Sequence, residues 1–241
     1  MSERHVLVTG GSRGIGRAAT LLFLREGFRV SMISRNPLAS ELALNSNPRF
    51  AWVQGDMLER ASFPRLVERV RERFGAIDHV VLNAGEIARF SLAEATEDAF
   101  DRLLAVNFKG PYFLLQQVIP IMNDGGSVVL VSSISASFGF AGVSVYAASK
   151  AALSSLCRSL APELLGRSIT INAAHLGAIA TDLISAESRE ARERVIPLGR
   201  IGRCEEAAGL LLFLCQPSSR YMTGQAVHLD GGIGACHVDR T

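Results

Sequence analysis

Residues 6–16 read VLVTGGSRGIG: the apolar run Val6-Leu7-Val8 breaks at Thr9-Gly10 and passes Gly14 and Gly16. Two of the three aliphatic residues are β-branched, which favours a strand. The spacing of Ala18, Ala19, Leu22 and Phe23 then favours a helix, with Gly27 placed to end it. A glycine-rich turn between strand and helix brings backbone N–H groups to the helix N-terminus, where a pyrophosphate can approach closely. The spacing is TGxxxGxG (Thr9, Gly10, Gly14, Gly16), not GxGxxG. The flanking strand and helix favour nucleotide binding over incidental glycines.

Beyond this turn the chain keeps alternating. Strands are expected at Phe28–Ile33, Phe50–Gln54, Ile77–Leu82, Ser127–Val131, Ile169–Ala174 and Ala226–Leu229. Helices are expected at Phe63–Phe74, with Ser62 as N-cap and Pro64 in the first turn, and from an acidic start at Glu94, Glu97 and Asp98 to about Met122. Asn123-Asp124-Gly125-Gly126 reads as a turn, and further helices follow at Val145–Leu165, Ser185–Val195 and Glu205–Leu214. The pattern predicts an α/β fold: one Rossmann-like, doubly wound parallel sheet of about seven strands, with helices on both faces. No linker or repeat divides residues 1–241, so a single domain is expected.

The chain is 48% hydrophobic and carries Lys+Arg 25 against Asp+Glu 23, a net charge of +2 with the charges scattered. No basic stripe asks for nucleic acid, and no apolar run approaches the roughly 20 residues of a membrane span. MSERH leads directly into the first apolar run, which leaves no room for a signal peptide. Cys157, Cys204, Cys215 and Cys236 are far apart, without a CxxC pair or clustered His. A cytoplasmic protein with no metal site is expected.

Cofactor choice is read at the end of the second strand, where a carboxylate would bond an NAD ribose and an Arg would accommodate a 2′-phosphate. No Asp or Glu lies between Phe28 and Ser40; the strand end reads Ser34-Arg35-Asn36. Arg13, inside the glycine turn, could reach the same phosphate. Either Arg alone reads as a solvated loop charge, but together they favour NADP(H), with NAD(H) as the alternative.

The run Ser133–Lys150, SISASFGFAGVSVYAASK, holds a hydroxyl, a phenol (Tyr146) and an ammonium with little other charge. Tyr146 and Lys150 are spaced to share a helix face, and a Lys⁺ beside a phenol favours the phenolate. Taken alone this is a weak signal, since such pairs are common on ordinary amphipathic helices.

Together these segments resemble the short-chain dehydrogenase/reductase family over nearly the whole chain. The residues that carry the resemblance are Thr9-Gly10-x-x-x-Gly14-x-Gly16, Asp56, Asn83-Ala84-Gly85, Asn107, Ser133, and Tyr146-x-x-x-Lys150. Pro197-Leu198-Gly199-Arg200, Thr223-Gly224 and Asp230-Gly231-Gly232 continue it. The resemblance implies a catalytic set of Asn107, Ser133, Tyr146 and Lys150. Tyr146 would protonate a carbonyl oxygen held by Ser133. Lys150 would hold the nicotinamide ribose and lower the Tyr146 pKa, and Asn107 would seat a water. It further implies cofactor contacts from Thr9, Gly10, Ser12, Arg13, Gly14, Ile15, Gly16, Ser34, Arg35, Asp56, Met57, Asn83, Ala84 and Gly85. Tyr146, Lys150, Gly177, Ile179 and Thr181 complete the set. Ser132 is the competing serine.

Two positions depart from the family pattern. Leu176-Gly177 stands where the family has Pro-Gly, which puts the order of that loop in doubt. Cys204 stands where Pro usually opens a helix.

Substrate identity is less legible. A pocket of Ser133, Ser135, Phe138, Phe140, Val143, Tyr146, Leu176 and Leu183, with Phe90 nearby, would suit a hydrophobic ketone or its secondary alcohol, though each Phe is equally a core residue. The resemblance is strongest to 3-oxoacyl-[acyl-carrier-protein] reductase-type members. Arg167 matches a basic position for docking an acidic carrier, while Asp124 would repel one, so a carrier-bound acyl group stays open without being favoured. An NAD-linked alcohol or sugar dehydrogenase and a non-catalytic dinucleotide sensor are the rival readings. Family members associate as dimers or tetramers, and apolar faces around Leu153, Leu156 and Leu160 and at 210–214 fit either an interface or core.

Overall fold

The computed structural model describes residues 4–38, 44–181 and 186–236. Seven parallel strands, β1 (His5–Thr9), β2 (Arg29–Ser34), β3 (Phe50–Gln54), β4 (Ile77–Leu82), β5 (Met122–Ser133), β6 (Thr170–Leu176) and β7 (Ala226–Leu229), form one sheet in the order β3-β2-β1-β4-β5-β6-β7. The order reverses between β1 and β4. At such a switch point the loops leaving the two strands turn to opposite faces and open a crevice at the carboxyl ends. This fixes where a ligand can enter.

Helices cover both faces because the strands alternate apolar residues between them. Leu7, Val80, Leu82, Val128, Leu130, Ile171 and Ala173 face one cluster, with α2 (Phe63–Phe74), α4 (Gly110–Val118) and α5 (Ser144–Leu164) packed on it. Val6, Val8, Val81, Val129, Val131 and Ala174 face the other, under α1 (Gly14–Arg25) and α7 (Cys204–Phe213). Each fully buried Val or Leu contributes roughly 1.5–3 kcal/mol, so the sheet is held from both sides. Leu153 and Leu156 belong to this core, which removes them from any subunit interface. The apolar side chains that α4 exposes are Tyr112 and Phe113.

The expected long helix before β5 is broken into α3 (Glu97–Leu104), a π-helical turn (Ala105–Lys109) and α4, which ends in a short 3₁₀ turn. A π-turn adds a residue to the helical repeat, a distortion that is frequent at functional sites. Here it carries Asn107 inward, fully buried. β5 begins earlier than the sequence suggests. Its register to β4 jumps from Ile77↔Met122 to His79↔Ser127, so Asn123–Gly126 forms an irregularity inside the strand, with Gly125 at φ 72°. β6 runs on through Leu176, which pairs with Ser133 on one side and Leu229 on the other. At Leu176 the chain is still strand, and Leu keeps the N–H that a strand needs; residues 182–185 of the loop beyond it lie outside the described residues.

Three histidines are buried in the sheet. His5 Nδ1 meets the Ala76 carbonyl at 3.1 Å, so it donates, and Nε2 accepts from Ser31 Oγ at 2.9 Å. His79 Nδ1 meets Ser127 Oγ at 2.8 Å, while its Nε2 is buried without a hydrogen-bond partner among the described residues. His175 lies between Ser154 Oγ at 2.6 Å and Ser137 Oγ at 3.2 Å. Burial lowers all three, His5 and His175 to about 4 and His79 to about 3. They are neutral near pH 7.

Candidate active site

The crevice holds a cavity of about 610 Å³, within the usual range for small-molecule and cofactor sites. The glycine turn shapes one wall. A Cβ at Gly16 would lie 2.2 Å from the Gly10 carbonyl oxygen, and one at Gly10, where φ is 69°, 2.8 Å from Ala84 Cα. Both glycines are required for the turn to lie flat against the end of β4. Asn83 locks this contact: Nδ2 donates to the Thr9 and Gly10 carbonyls at 3.1 Å, and Thr9 Oγ1 accepts from the N–H groups of Asn83 and Ala84 at 3.0 Å. Thr9 and Gly16 thus build the groove from behind, rather than lining it as expected. Gly10, Ser12, Arg13, Gly14, Ile15, Ser34, Arg35, Asp56, Met57, Asn83, Ala84, Gly85, Gly177, Ile179 and Thr181 all line it.

Arg13, Arg35 and Asp56 line the cavity where the chain leaves β1, β2 and β3. Asp56 Oδ1 accepts from Leu58 N at 3.0 Å, which orders the loop after β3. No Asp or Glu stands between Phe28 and Ser40, and Arg35 is about half exposed. Among the described residues its acidic partner is one that no motif marks. Glu86 lies 3.5 Å from Arg35 and takes two hydrogen bonds from Arg102, at 2.8 and 2.7 Å. Trp52 reaches the end of β2, its Nε1 donating to Ser34 Oγ at 3.2 Å.

Further along the sheet the carboxyl terminus of β5 supplies Ser133, and the first turns of α5 supply Tyr146 and Lys150. Ser133 Oγ accepts from Ser135 N at 3.2 Å, which holds the hydroxyl at the strand end. Ser132 borders the same cavity, but its hydroxyl is committed to α5, donating to the Lys150 carbonyl at 2.9 Å. Lys150 is nearly fully buried, and its Nζ donates to the Val131 carbonyl at 2.9 Å. Burial lowers its pKa to about 8.

Tyr146 departs from expectation. Burial raises its pKa above the ordinary value, opposed by the Ser133 hydroxyl and by the charge of Arg89. Lys150 does not draw it down: its Nζ is 5.9 Å from the Tyr146 ring centroid and is directed at Val131. Asn107 does not line the cavity. Its Oδ1 accepts from Glu86 N at 2.8 Å, and Nδ2 donates to the Glu86 carbonyl at 2.8 Å and to Ser149 Oγ at 3.0 Å. It ties the loop after β4 to α5 behind Lys150.

Of the expected substrate pocket, Ser133, Tyr146 and Leu176 line the cavity; Ser135, Phe138, Phe140 and Val143 do not. Phe138 packs edge-on against His228 at 5.9 Å and against the backbone at Gly234. Phe140 is exposed, and Val143 is buried at the start of α5. Leu183 lies outside the described residues. In place of phenylalanines the cavity has Ile87, Arg89 and Arg192. No motif points to these positions, because the loop after β4 and helix α6 (Ala186–Glu193) reach the cavity only through the fold.

Among the described residues there is no cluster of His, Cys, Asp and Glu suited to a metal ion, and no helix is long and apolar enough to cross a membrane. A family model described as enoyl-(acyl carrier protein) reductase matches residues 10–234. The chain is 38% identical to a 3-oxoacyl-[acyl-carrier-protein] reductase of Thermotoga maritima, over 94% of this chain and 96% of that one. It superposes on a short-chain dehydrogenase/reductase from Serratia marcescens with a TM-score of 0.89 at 31% identity, covering 96% of this chain and 98% of the other. A blue fluorescent protein from a metagenomic library, solved in complex with NADPH, gives a TM-score of 0.89 at 34% identity, with coverage of 96% and 98%.

Proposed function

The chain belongs to the short-chain dehydrogenase/reductase family, and from that premise we propose that it is an NADP(H)-dependent carbonyl reductase. It would act on a ketone or, in reverse, on the secondary alcohol. The observation that carries this reading is the convergence of Ser133, Tyr146 and Lys150 in one cavity with the glycine turn, Arg13 and Arg35.

The dinucleotide, when bound, supplies the hydride. The groove fits it: glycines without Cβ atoms line the turn, and Arg13 and Arg35 stand where the chain leaves β1 and β2. Gly10, Ser12, Gly14 and Ile15 would hold the pyrophosphate, and Asp56 and Met57 the adenine. Arg13 and Arg35 would hold the 2′-phosphate, and Lys150 the nicotinamide ribose. Tyr146 would give its proton to the carbonyl oxygen as charge develops there, and Ser133 would donate a hydrogen bond to the same oxygen. A phenol with a raised pKa is a proton reservoir that stays loaded at neutral pH. Asn107 acts from behind, keeping the loop after β4 and α5 in register with Lys150.

Carrier-bound acyl substrates gain no support from the expected docking residue. Arg167 Nε donates to Asp124 Oδ1 at 2.7 Å, and the guanidinium also bonds the carbonyls of Ile119 and Met122. It joins the end of α5 to the start of β5, so little of its charge is left for an acidic partner. Association of copies would use α4, where Tyr112 and Phe113 are exposed.

The test is NADPH and NADH consumption with a panel of ketones, including 3-oxoacyl and enoyl thioesters. NADPH-dependent turnover of ketones supports the reading; turnover of the enoyl substrate alone sinks it. Arg35→Ala is expected to lower kcat/KM with NADPH by about ten- to a hundredfold, the worth of a charge-assisted hydrogen bond, with much less change for NADH. Equal losses with both nicotinamides would remove Arg35 from 2′-phosphate recognition.

A further inference from the structure

Arg35 follows the last residue of β2, and Glu86 lies in the loop after β4. In the sheet these two strands flank β1, whose carboxyl end opens into the glycine turn. The pair of Arg35 Nη1 with Glu86 Oε1, at 3.5 Å, therefore joins loops on either side of that turn. Arg35, Glu86 and the glycine turn all line one cavity.

The two partners are held very differently. The Glu86 N–H donates to Asn107 Oδ1 and its carbonyl accepts from Asn107 Nδ2, each at 2.8 Å, and Asn107 is itself buried. The Glu86 carboxylate accepts from Arg102 Nε at 2.8 Å and from Arg102 Nη2 at 2.7 Å. Such a two-point guanidinium–carboxylate bond fixes direction as well as distance. At the Arg35 end the contact is longer than a hydrogen bond, and that side chain is 54% exposed against 26% for Glu86. An ion pair of this kind is weak. The carboxylate is thus the fixed member and the Arg35 guanidinium the movable one.

At the 2′ position of a dinucleotide these two groups select opposite cofactors. A carboxylate bonds the ribose 2′-hydroxyl, and an arginine accommodates a 2′-phosphate. Here both stand 3.5 Å apart. Each carboxylate oxygen has about two acceptor positions, so the bond to Arg102 leaves capacity on both.

We propose that Glu86 sets how strongly the protein prefers NADP(H). It supplies, from the loop after β4, the carboxylate that is missing between Phe28 and Ser40; it takes the 2′-hydroxyl of NAD(H) and competes with the 2′-phosphate of NADP(H) for Arg35. The proposal rests on the reading of Arg35 as the residue that meets the 2′-phosphate. When the phosphate arrives, Arg35 turns to it and Arg102 stays to balance the Glu86 charge. Without the phosphate, Arg35 keeps Glu86, whose remaining acceptor positions take the hydroxyl. The chain uses both dinucleotides, and one carboxylate grades the preference.

The test is calorimetric titration of the wild type, Glu86→Gln, Arg102→Gln and Arg35→Ala with NADP⁺ and NAD⁺. Adenosine 2′,5′-bisphosphate and 5′-AMP are titrated as well, since they report the adenosine end without the nicotinamide. Glu86→Gln is expected to tighten NADP⁺ and the bisphosphate about threefold and to weaken NAD⁺ and AMP about tenfold, the worth of a charge-assisted hydrogen bond. Arg102→Gln, at an exposed position on α3, removes the charge that balances Glu86. It is expected to shift the NADP⁺ to NAD⁺ affinity ratio the other way, by about threefold. Opposite shifts from the two sides of one ion pair cannot come from a shared loss of folding. A parallel loss of every ligand in Glu86→Gln would make Glu86 a scaffold residue and overturn the proposal, as would a ratio that stays within about twofold. AMP binding that is unchanged in Glu86→Gln would overturn the hydroxyl contact. Arg35→Ala separates the two readings. If it weakens the bisphosphate while Glu86→Gln leaves the ratio alone, Glu86 fails and the Arg35 reading stands. If it leaves the bisphosphate unchanged, the Arg35 reading fails and the competition falls with it.

Discussion

Tyr146→Phe is expected to lower kcat/KM for ketone reduction by about a thousandfold, within the range for losing a positioned general acid, while leaving NADPH affinity nearly unchanged. The variant removes one oxygen atom and keeps the ring, so packing at the start of α5 is retained. NADPH binding is followed independently through Trp52, the one tryptophan of the chain, which hydrogen-bonds Ser34 at the far end of the cavity. Full quenching with lost turnover supports the role; retained turnover removes Tyr146 from proton transfer.

The pH profile follows from the same groups. Tyr146 lies above its ordinary value and so stays protonated through the neutral range. Lys150, at about 8, is the group that changes charge first as pH rises. Reduction by the wild type is expected to be flat from about pH 6 to 7.5 and to decline above about 8. An alkaline limb that begins only near the phenol's range would show that Lys150 is not the controlling charge.

The second large effect is on stability in acid. His5, His79 and His175 titrate near the ordinary 6.5 when unfolded, but at about 4, 3 and 4 in the folded chain. As pH falls below 6.5 the unfolded chain takes up these protons and the folded chain does not, so stability is lost through this window and is fully present above it. With three such sites the slope reaches about 4 kcal/mol per pH unit between roughly pH 6 and 4. Integrated from pH 6.5 to 4.5 the loss is about 8 kcal/mol, comparable with the total stability of a domain, about 5–15 kcal/mol, so unfolding by about pH 4.5 is expected. His79→Gln should reduce the steepness of acid unfolding from three protons towards two, read from urea midpoints at successive pH values. An unchanged slope would mean His79 does not supply the coupling. Burial, and then the charges of Arg4 and Arg220, make His79 the hardest of the three to charge.

Much of the fold was legible because its signals are local. Val6-Leu7-Val8 running into Gly10, Gly14 and Gly16 announces a strand, a tight turn and a helix, and Gly16 is needed where it meets the Gly10 carbonyl six residues before it. The period-2 exchange of Leu7 and Val8 between two cores, and the helix at Phe63–Phe74, follow from spacing alone. So does the pairing of Tyr146 with Lys150, which one helical turn enforces.

What spacing cannot carry is any contact between distant segments. That Asn107 turns inward on a π-turn and serves Glu86 rather than the cavity depends on where α5 packs. Leu176 became a strand residue because Ser133 and Leu229 were there to pair with it. Phe138 found His228, and Arg167 found Asp124, partners far away in the chain. The tuning of Tyr146 by burial is likewise a property of its surroundings, since desolvation arises from neighbours of every element at once. Arg89 and Arg192 make the point most directly: neither belongs to a motif, yet the parallel order β4-β5-β6 brings both to the cavity beside Ser133. Local chemistry in the chain specified the dinucleotide groove, and the packing of remote loops specified what stands beside it.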